Sequence, residues 1–451
     1  MTGPLHRILL DGPVDLTGLQ RSQSARYPLL LQSIAGGNAL SRWDVLFISN
    51  GDGLQCLNGK TSTLAGEAIE QPFLDALNAL YVAHGHQLPS DLPFTGGWAL
   101  YLGYELSAQI EPSLHLPVFD GPLPDALALR CPAAVLFDKT EGRTIAVAEP
   151  GYGFLLETLQ ADLQALPAQP PIPAWQAQGV CREEDPARFV QAVGKIHAYL
   201  NAGDVFQVNI SRAWNGHYPQ ADAHALYARL CQLNPSPFAG ILQFDSWSLL
   251  SSSPERLVSV NGDSVQTRPI AGTRPRIAGD DDAGRIRELI GHPKERAEHV
   301  MLIDLERNDL SRVCQPGSIR VDELMQIETY AHVHHIVSNV SGKLKPGVLP
   351  GDIIAAVFPG GTITGCPKVR CMQIIAELEG EGRGPYTGAL GYLNGNGRMD
   401  LNILIRSLWL QGDRIQLRAG GGIVADSEPQ RELQETRAKA KGLLQALEAS
   451  L

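Results

Sequence analysis

The stretch RLVSVNGDSVQTRPI, residues 256–270, sets two alternating apolar runs on either side of Asn261-Gly262. That dipeptide between alternating runs is a strong hairpin signal and predicts a type I′ turn, so the strands around it pair antiparallel. Other short apolar runs, such as WDVLFIS and GWALYLGYEL, are punctuated by Gly and Pro and also read as strands. They occur among long helical patterns without regular strand–helix–strand alternation. The expected class is therefore α+β, and a doubly wound parallel sheet is disfavoured.

The clearest interruption is LPAQPPIPAWQAQG, residues 166–179, where four prolines break the apolar patterning. We read it as a linker between an N-terminal region, residues 1–165, and a C-terminal domain, residues 180–451. Beyond it the spacing predicts a helix: Asp185 caps it, Pro186 fits its first turn, Phe189, Val193, Ile196 and Leu200 share one face, and Gly203 stops it. The following VFQVNIS alternates as a strand, with Phe206, Val208 and Ile210 on one face and Gln207 and Asn209 on the other. Those two amides line a polar pocket or a solvated face.

Composition narrows the class. The chain has 451 residues, 44% of them apolar and 19% charged, with a net charge of −11. It is expected to be globular, with no nucleic-acid surface. No window approaches eighteen uninterrupted apolar residues and no signal-peptide pattern opens the chain, so we expect a cytoplasmic enzyme or binding protein without membrane contact. The seven cysteines are scattered without metal-ligand spacing, which supports neither a disulfide framework nor structural zinc.

Two helical patterns carry matching acidic pairs, Glu295 with Glu298 in ERAEHVMLIDLERND and Glu432 with Glu435 in RELQETRAKAK. Residues three apart project from one helical face. Such pairs either adorn solvated helices or meet across a site, where Mg²⁺ would offset their repulsion and hold an anionic substrate. Tyr386 before TGALGYL, Arg406 in NILIRS and the glycines of AGGGIV are candidate anion binders, since arginine matches a carboxylate bidentately and glycine bares backbone N–H groups. In YAHVHHIVS, His332, His334 and His335 are possible metal ligands. His334 and His335 would point to opposite faces of a strand, so at most one lines a given site.

These stretches, taken together with SSPERL, TRPIAGTRPR and FPGGTITGCPK, resemble the chorismate-utilising enzymes: anthranilate synthase component I, aminodeoxychorismate synthase component I, and the isochorismate and salicylate synthases. The resemblance spans residues 186–447 and implies a two-layer antiparallel β core flanked by helices. It makes Glu298 and Glu435 ligands of Mg²⁺, with Glu295 and Glu432 supporting through water. Tyr386 and Arg406 match residues that grip the enolpyruvyl carboxylate of chorismate; Gly420, Gly421, Gly422 and Lys439 match the wall around its ring carboxylate. Glu255 matches the general acid for the carbon-4 hydroxyl, and Thr273, His335 and Thr362 match further site positions.

Gln207 resembles the ammonia-using members, where water-using relatives look like they carry lysine. Ammonia is the expected nucleophile, and since the chain carries no glutaminase elbow it would come from solution or from a glutamine amidotransferase subunit. Typical aminodeoxychorismate synthases resemble PIKGT, with a lysine that adds to carbon 2; here Ala271 stands there, as in the PIAGT of anthranilate synthases. VHHIVS, SRWD and LPFTGGWALYLGYEL look more like the aminodeoxychorismate branch, which is the expected function, with anthranilate synthase as the alternative. NPSPF resembles part of the tryptophan-feedback pocket of anthranilate synthases, and LLLQS is an imperfect match to its partner segment. A non-catalytic chorismate-binding subunit would be expected to lack some of these residues.

Overall fold

The structure, a computed structural model, describes residues 3–10, 12–35, 42–86, 88, 90–166, 172–176, 178–275, 282–291, 293–329 and 333–448; within these, the side chains of 273–275, 283, 285, 288–290, 293, 294 and 333 are not described. His332 and Ser41 lie outside the described residues. Among the described residues two 12-stranded sheets form the core, and the pairings within them are antiparallel, as in the Ala389–Asn394 strand against Gly97–Leu102 and the Phe238–Phe244 strand against Leu29–Gln32. The α+β expectation holds. Strands from before residue 166 and after residue 179 share both sheets.

The sheets stack face to face. Phe47, Tyr101, Leu129, Leu249, Leu390 and Trp409, drawn from both, form one buried cluster between them. The outer faces are covered by helices: Leu46 and Ile48 pack in a cluster with Leu159, Leu226 and Leu443 on one side, and Trp98 and Leu100 pack with Leu77, Ile303 and Ile354 on the other. This explains the unbroken apolarity of VLFI, residues 45–48, and of GWALYL, residues 97–102. A strand buried on both faces has no position at which to place a polar residue.

The helix following the linker runs Pro186–Ala202, with the Asp185 carboxylate accepting from the Ala187 N–H and Gly203 in the left-handed region at φ 79°. Two local expectations need correction. The hairpin pairs Asn261 with Ser264, so its two turn residues are Gly262 and Asp263. Gly262 has φ 63° and Asp263 is not among the positive-φ residues, the pattern of a type II′ turn, which places glycine first. Phe206 also leaves its expected face: the strand begins at Gln207, and Phe206 is 70% exposed.

The double burial of the central strands gives a stability prediction. Phe47 is fully buried, edge-on to Phe94 at 4.8 Å between ring centroids. Phe47→Ala is expected to cost about 3–5 kcal/mol, read as a lowered denaturation midpoint, while Leu9→Ala, at an exposed position, leaves the midpoint unchanged.

Candidate active site

The site forms where the strand Gln207–His217 lies against the glycine-rich strand Arg414–Ile423, in a register that sets Asn209 opposite Gly422, Ile210 opposite Gly421 and Ser211 opposite Gly420. Bare backbone is required here. An ideal Cβ on Gly422 would fall 1.9 Å from Gln207 Nε2, and one on Gly420 would fall 2.3 Å from the Ile210 carbonyl and 2.8 Å from the Tyr386 hydroxyl. The N–H of Asn209 donates to the Thr364 carbonyl at 2.9 Å and that of Ser211 donates to Glu379 at 2.8 Å, so both point away from the glycine strand. In an antiparallel ladder their partners then also turn outward. Gly420 and Gly422 thus direct their N–H groups to the opposite edge, where Lys439 Nζ donates to the Gly420 carbonyl at 3.1 Å.

Both acidic helices reach this end of the ladder. Glu298, on the helix Pro293–Ser311, accepts from Gln207 Nε2 at 3.1 Å. Glu432 and Glu435, on the C-terminal helix Pro429–Leu447, stand 3.6 and 3.8 Å from where a Cβ of Gly421 would lie, and Lys439 pairs with Glu435 at 2.7 Å. Glu295 lies one turn before Glu298 on the same helix. Among the described residues no three such side chains are gathered tightly enough to hold a metal ion as they stand. The donor set is nevertheless chemically apt for magnesium, a hard cation that takes one or two protein carboxylates, keeps several waters and completes its shell with substrate oxygens.

Glu255 is 6% exposed and accepts from the Thr362 hydroxyl at 2.9 Å. Burial raises its carboxyl to about 7, against the opposing pull of Thr362, the Ile270 N–H and the positive charge of Lys439. The next residue, Ala271, is buried on the strand Ile270–Pro275 and pairs with Ile336 before a bulge at Gly272, whose φ is 69°. Past the bulge the Thr273 backbone pairs with His335; the Thr273 side chain is outside the description. His335 is buried and held down to about 4, by burial first and then by the charge of Arg406, so its imidazole is neutral. His334 turns the other way, to Thr329 at 2.9 Å and Asp282 at 3.3 Å. One histidine of the pair faces the site, as strand geometry requires.

Arg406 has φ 52° and Thr387, which follows Tyr386, has φ 64°. Two non-glycine residues in the left-handed region, one of them β-branched, are strained backbone of the kind that clusters at ligand clamps. Burial lowers the pKa of Arg406, opposed by Tyr386, and among the described residues its guanidinium pairs with no carboxylate. Tyr386, itself pushed up to about 12 by burial, lies under Arg383 at 5.5 Å.

Behind Tyr386 is a cluster that sequence reading missed. Glu379 receives Arg383 at 2.7 Å and Arg418 at 3.0 Å, all three buried. Burial alone would raise the Glu379 carboxyl, but the two arginines hold it below its usual range. Arg383 also donates to the Asn209 carbonyl at 2.7 Å, and Arg418 to Ser211 Oγ at 3.1 Å, tying the Tyr386 support to the amide strand. A second missed group, Glu306, is buried beside the Asp309–Lys368 pair (2.6 Å); burial, then the charge of Asp309, raises its carboxyl. Away from this site, Leu31, Ser33, Pro237 and Phe238, from LLLQS and NPSPF, line one cavity of about 220 Å³ with Tyr392 and Asn402.

A sequence profile describing chorismate binding enzymes matches residues 44–445. The chain is 38% identical over 445 residues to aminodeoxychorismate synthase component 1 of Bacillus subtilis, covering 95% of this chain and 93% of that protein. It is 37% identical over 473 residues to anthranilate synthase component 1 of Synechocystis, covering 94% and 92%. The crystal structure of anthranilate synthase component I from Streptococcus pneumoniae superposes with a TM-score of 0.82 at 31% identity, covering 90% of this chain and 93% of that one.

An acid must hold its proton to donate it. With the Glu255 carboxyl at about 7, turnover is expected to fall about tenfold per pH unit above that value. Glu255→Gln should lower kcat by about 10²–10⁴ and abolish this limb. A pH–rate profile that keeps the limb in the variant assigns the proton elsewhere.

Proposed function

The chain belongs to the chorismate binding enzymes, and from that premise we propose that it aminates chorismate with ammonia to give 4-amino-4-deoxychorismate, as an aminodeoxychorismate synthase component I. Amination is supported by the buried carboxyl near neutrality at Glu255 and by the Arg406 guanidinium, which pairs with no carboxylate among the described residues; VHHIVS, SRWD and LPFTGGWALYLGYEL favour the aminodeoxychorismate branch, and the small, buried Ala271 leaves room for that route without a lysine. Arg406 and the Tyr386 hydroxyl receive the enolpyruvyl carboxylate. Lys439 and the outward N–H groups of Gly420 and Gly422 receive the ring carboxylate. Magnesium, held by Glu298 and Glu435 with Glu295 and Glu432 behind them, would supply positive charge against that same carboxylate. A glutamine amidotransferase subunit is the proposed source of ammonia.

Ala271 offers no amine to add to carbon 2. In the proposed route, ammonia forms the C–N bond at carbon 2, the double bonds shift, and the carbon-4 oxygen leaves as water with the proton of Glu255. The proton shed by the new nitrogen balances the one spent. A second ammonia then attacks carbon 4, the double bonds shift back, and the first nitrogen leaves as ammonia, taking up the equivalent of the proton that the second nitrogen sheds. Neutral His335 fits this site better than a cation would, because a positive charge there would compete with Arg406 for the carboxylate.

Ala271 also supports the second reading, anthranilate synthesis, in which nitrogen stays at carbon 2 and pyruvate is expelled. Relatives of both names match this chain at 37–38% identity.

With chorismate, Mg²⁺ and ammonium, the expected product is 4-amino-4-deoxychorismate, preceded by a kinetically competent 2-amino isomer carrying label from ¹⁵N-ammonium. Anthranilate fluorescence without added lyase would favour the second reading. A covalent enzyme adduct without the isomer would refute the two-ammonia route. Arg406→Ala should raise the chorismate KM roughly 10- to 100-fold, the worth of about 1.5–3 kcal/mol of hydrogen bonding to a charged group.

A further inference from the structure

The strand Gln207–His217 presents Gln207 and Asn209 on one face, 3% and 8% exposed, and neither Gln207 Oε1 nor Asn209 Oδ1 accepts a hydrogen bond from any described residue. The polar-pocket alternative is therefore the one realised. Gln207 is fixed by its own amide: Nε2 is committed to Glu298 at 3.1 Å, which leaves Oε1 at the opposite end of the carboxamide. Asn209 is fixed by its backbone, with the N–H bound to Thr364 and the carbonyl bound by Arg383 at 2.7 Å. The same face carries Gly422 and Gly420 and, over Gly420, the Tyr386 hydroxyl.

A buried carbonyl oxygen without a donor is costly, so two of them side by side call for a donor-rich ligand. Residues two apart on a strand stand about 6.7 Å apart at their Cα atoms, and two hydrogen bonds of about 2.9 Å reach at most about 5.8 Å, so one small donor is shared where the two amide ends lean toward each other. We propose that Gln207 and Asn209 together form the ammonia-binding site, each amide oxygen accepting one N–H so that the lone pair is aimed at a ring lying over Gly420–Gly422. The proposal rests on the amination reading above and adds Asn209 to it.

The chemistry of the pocket separates ammonia from water. An amide is not a base, so neither residue takes a proton from the nucleophile as it attacks. Water is a weak nucleophile until a base removes its proton, whereas neutral ammonia attacks with its lone pair and loses a proton afterwards. A pocket of acceptors without a base therefore orients both molecules but lets only ammonia react.

The test is steady-state kinetics of the full chain at fixed pH with ammonium as nitrogen donor, alongside chorismate binding measured calorimetrically. Asn209→Leu, which keeps the volume and removes the acceptor, is expected to raise the ammonium KM about five- to tenfold and leave chorismate affinity within twofold. Asn209→Asp, which keeps acceptor oxygens, should return the ammonium KM to within about threefold of the parent, an outcome that a merely structural role for Asn209 does not produce. The parent enzyme separates the two possible failures. If it does not aminate chorismate, the reaction assignment falls and the ammonia site with it. If it does, but Asn209→Leu leaves the ammonium KM unchanged or weakens chorismate binding instead, the ammonia site alone is overturned.

Discussion

Three consecutive glycines without side chains set what the rest of this site can be. Gly422 admits the Gln207 amide, Gly420 admits the Tyr386 hydroxyl, and Gly421 faces the acids of the C-terminal helix. None of the three needs glycine for its φ, since none is in the left-handed region. They need it for approach. The strand stays regular because its ladder with Gln207–His217 is unbroken, and it is this regularity that turns alternate N–H groups outward beside Lys439. A local absence of Cβ atoms thus becomes an anion-binding edge on one side and a flat floor on the other.

The surrounding fold supplies rigidity to that edge. Two large sheets bury both faces of their central strands, so the site is mounted on elements that have little freedom to adjust. The Glu379–Arg383–Arg418 cluster extends this rigidity to Tyr386, at the expense of desolvating three charges that only their mutual pairing and hydrogen bonds offset. Charge is arranged by burial as much as by contact. Glu255 and Glu306 are pushed toward their neutral forms, His335 is kept neutral and Arg406 keeps its charge without a carboxylate partner among the described residues. Acid and anion binder therefore coexist without cancelling each other.

Much of this was legible in the sequence, for identifiable reasons. The cap at Asp185 and the stop at Gly203 follow from local rules, and antiparallel pairing followed from the hairpin at residues 256–267. The family resemblance carried the site positions, and the structure brings Gln207, Glu298, Tyr386, Lys439 and the glycines to one sheet end. Other features depend on tertiary burial, to which local pattern is blind. Glu379 and Arg383, in the glycine-broken stretch EGEGR, carry no local sign of burial, which comes only when Arg418 pairs with Glu379. Gln207 and Asn209 alternate with apolar residues whether they face water or a pocket. The turn at Gly262 shifted by one residue because glycine satisfies either primed turn, and only the cross-strand register decides between them.

The central claim is that carboxylates from two helices distant in sequence serve one divalent ion at the edge of the glycine strand. Titration of Mn²⁺, followed by electron paramagnetic resonance, tests it most directly with Glu298→Gln and Glu435→Gln made singly and together. If both side chains hold the same ion, each single change weakens binding and the double change costs less than the sum of the two. Strictly additive effects, or an affinity untouched by either substitution, would contradict the account.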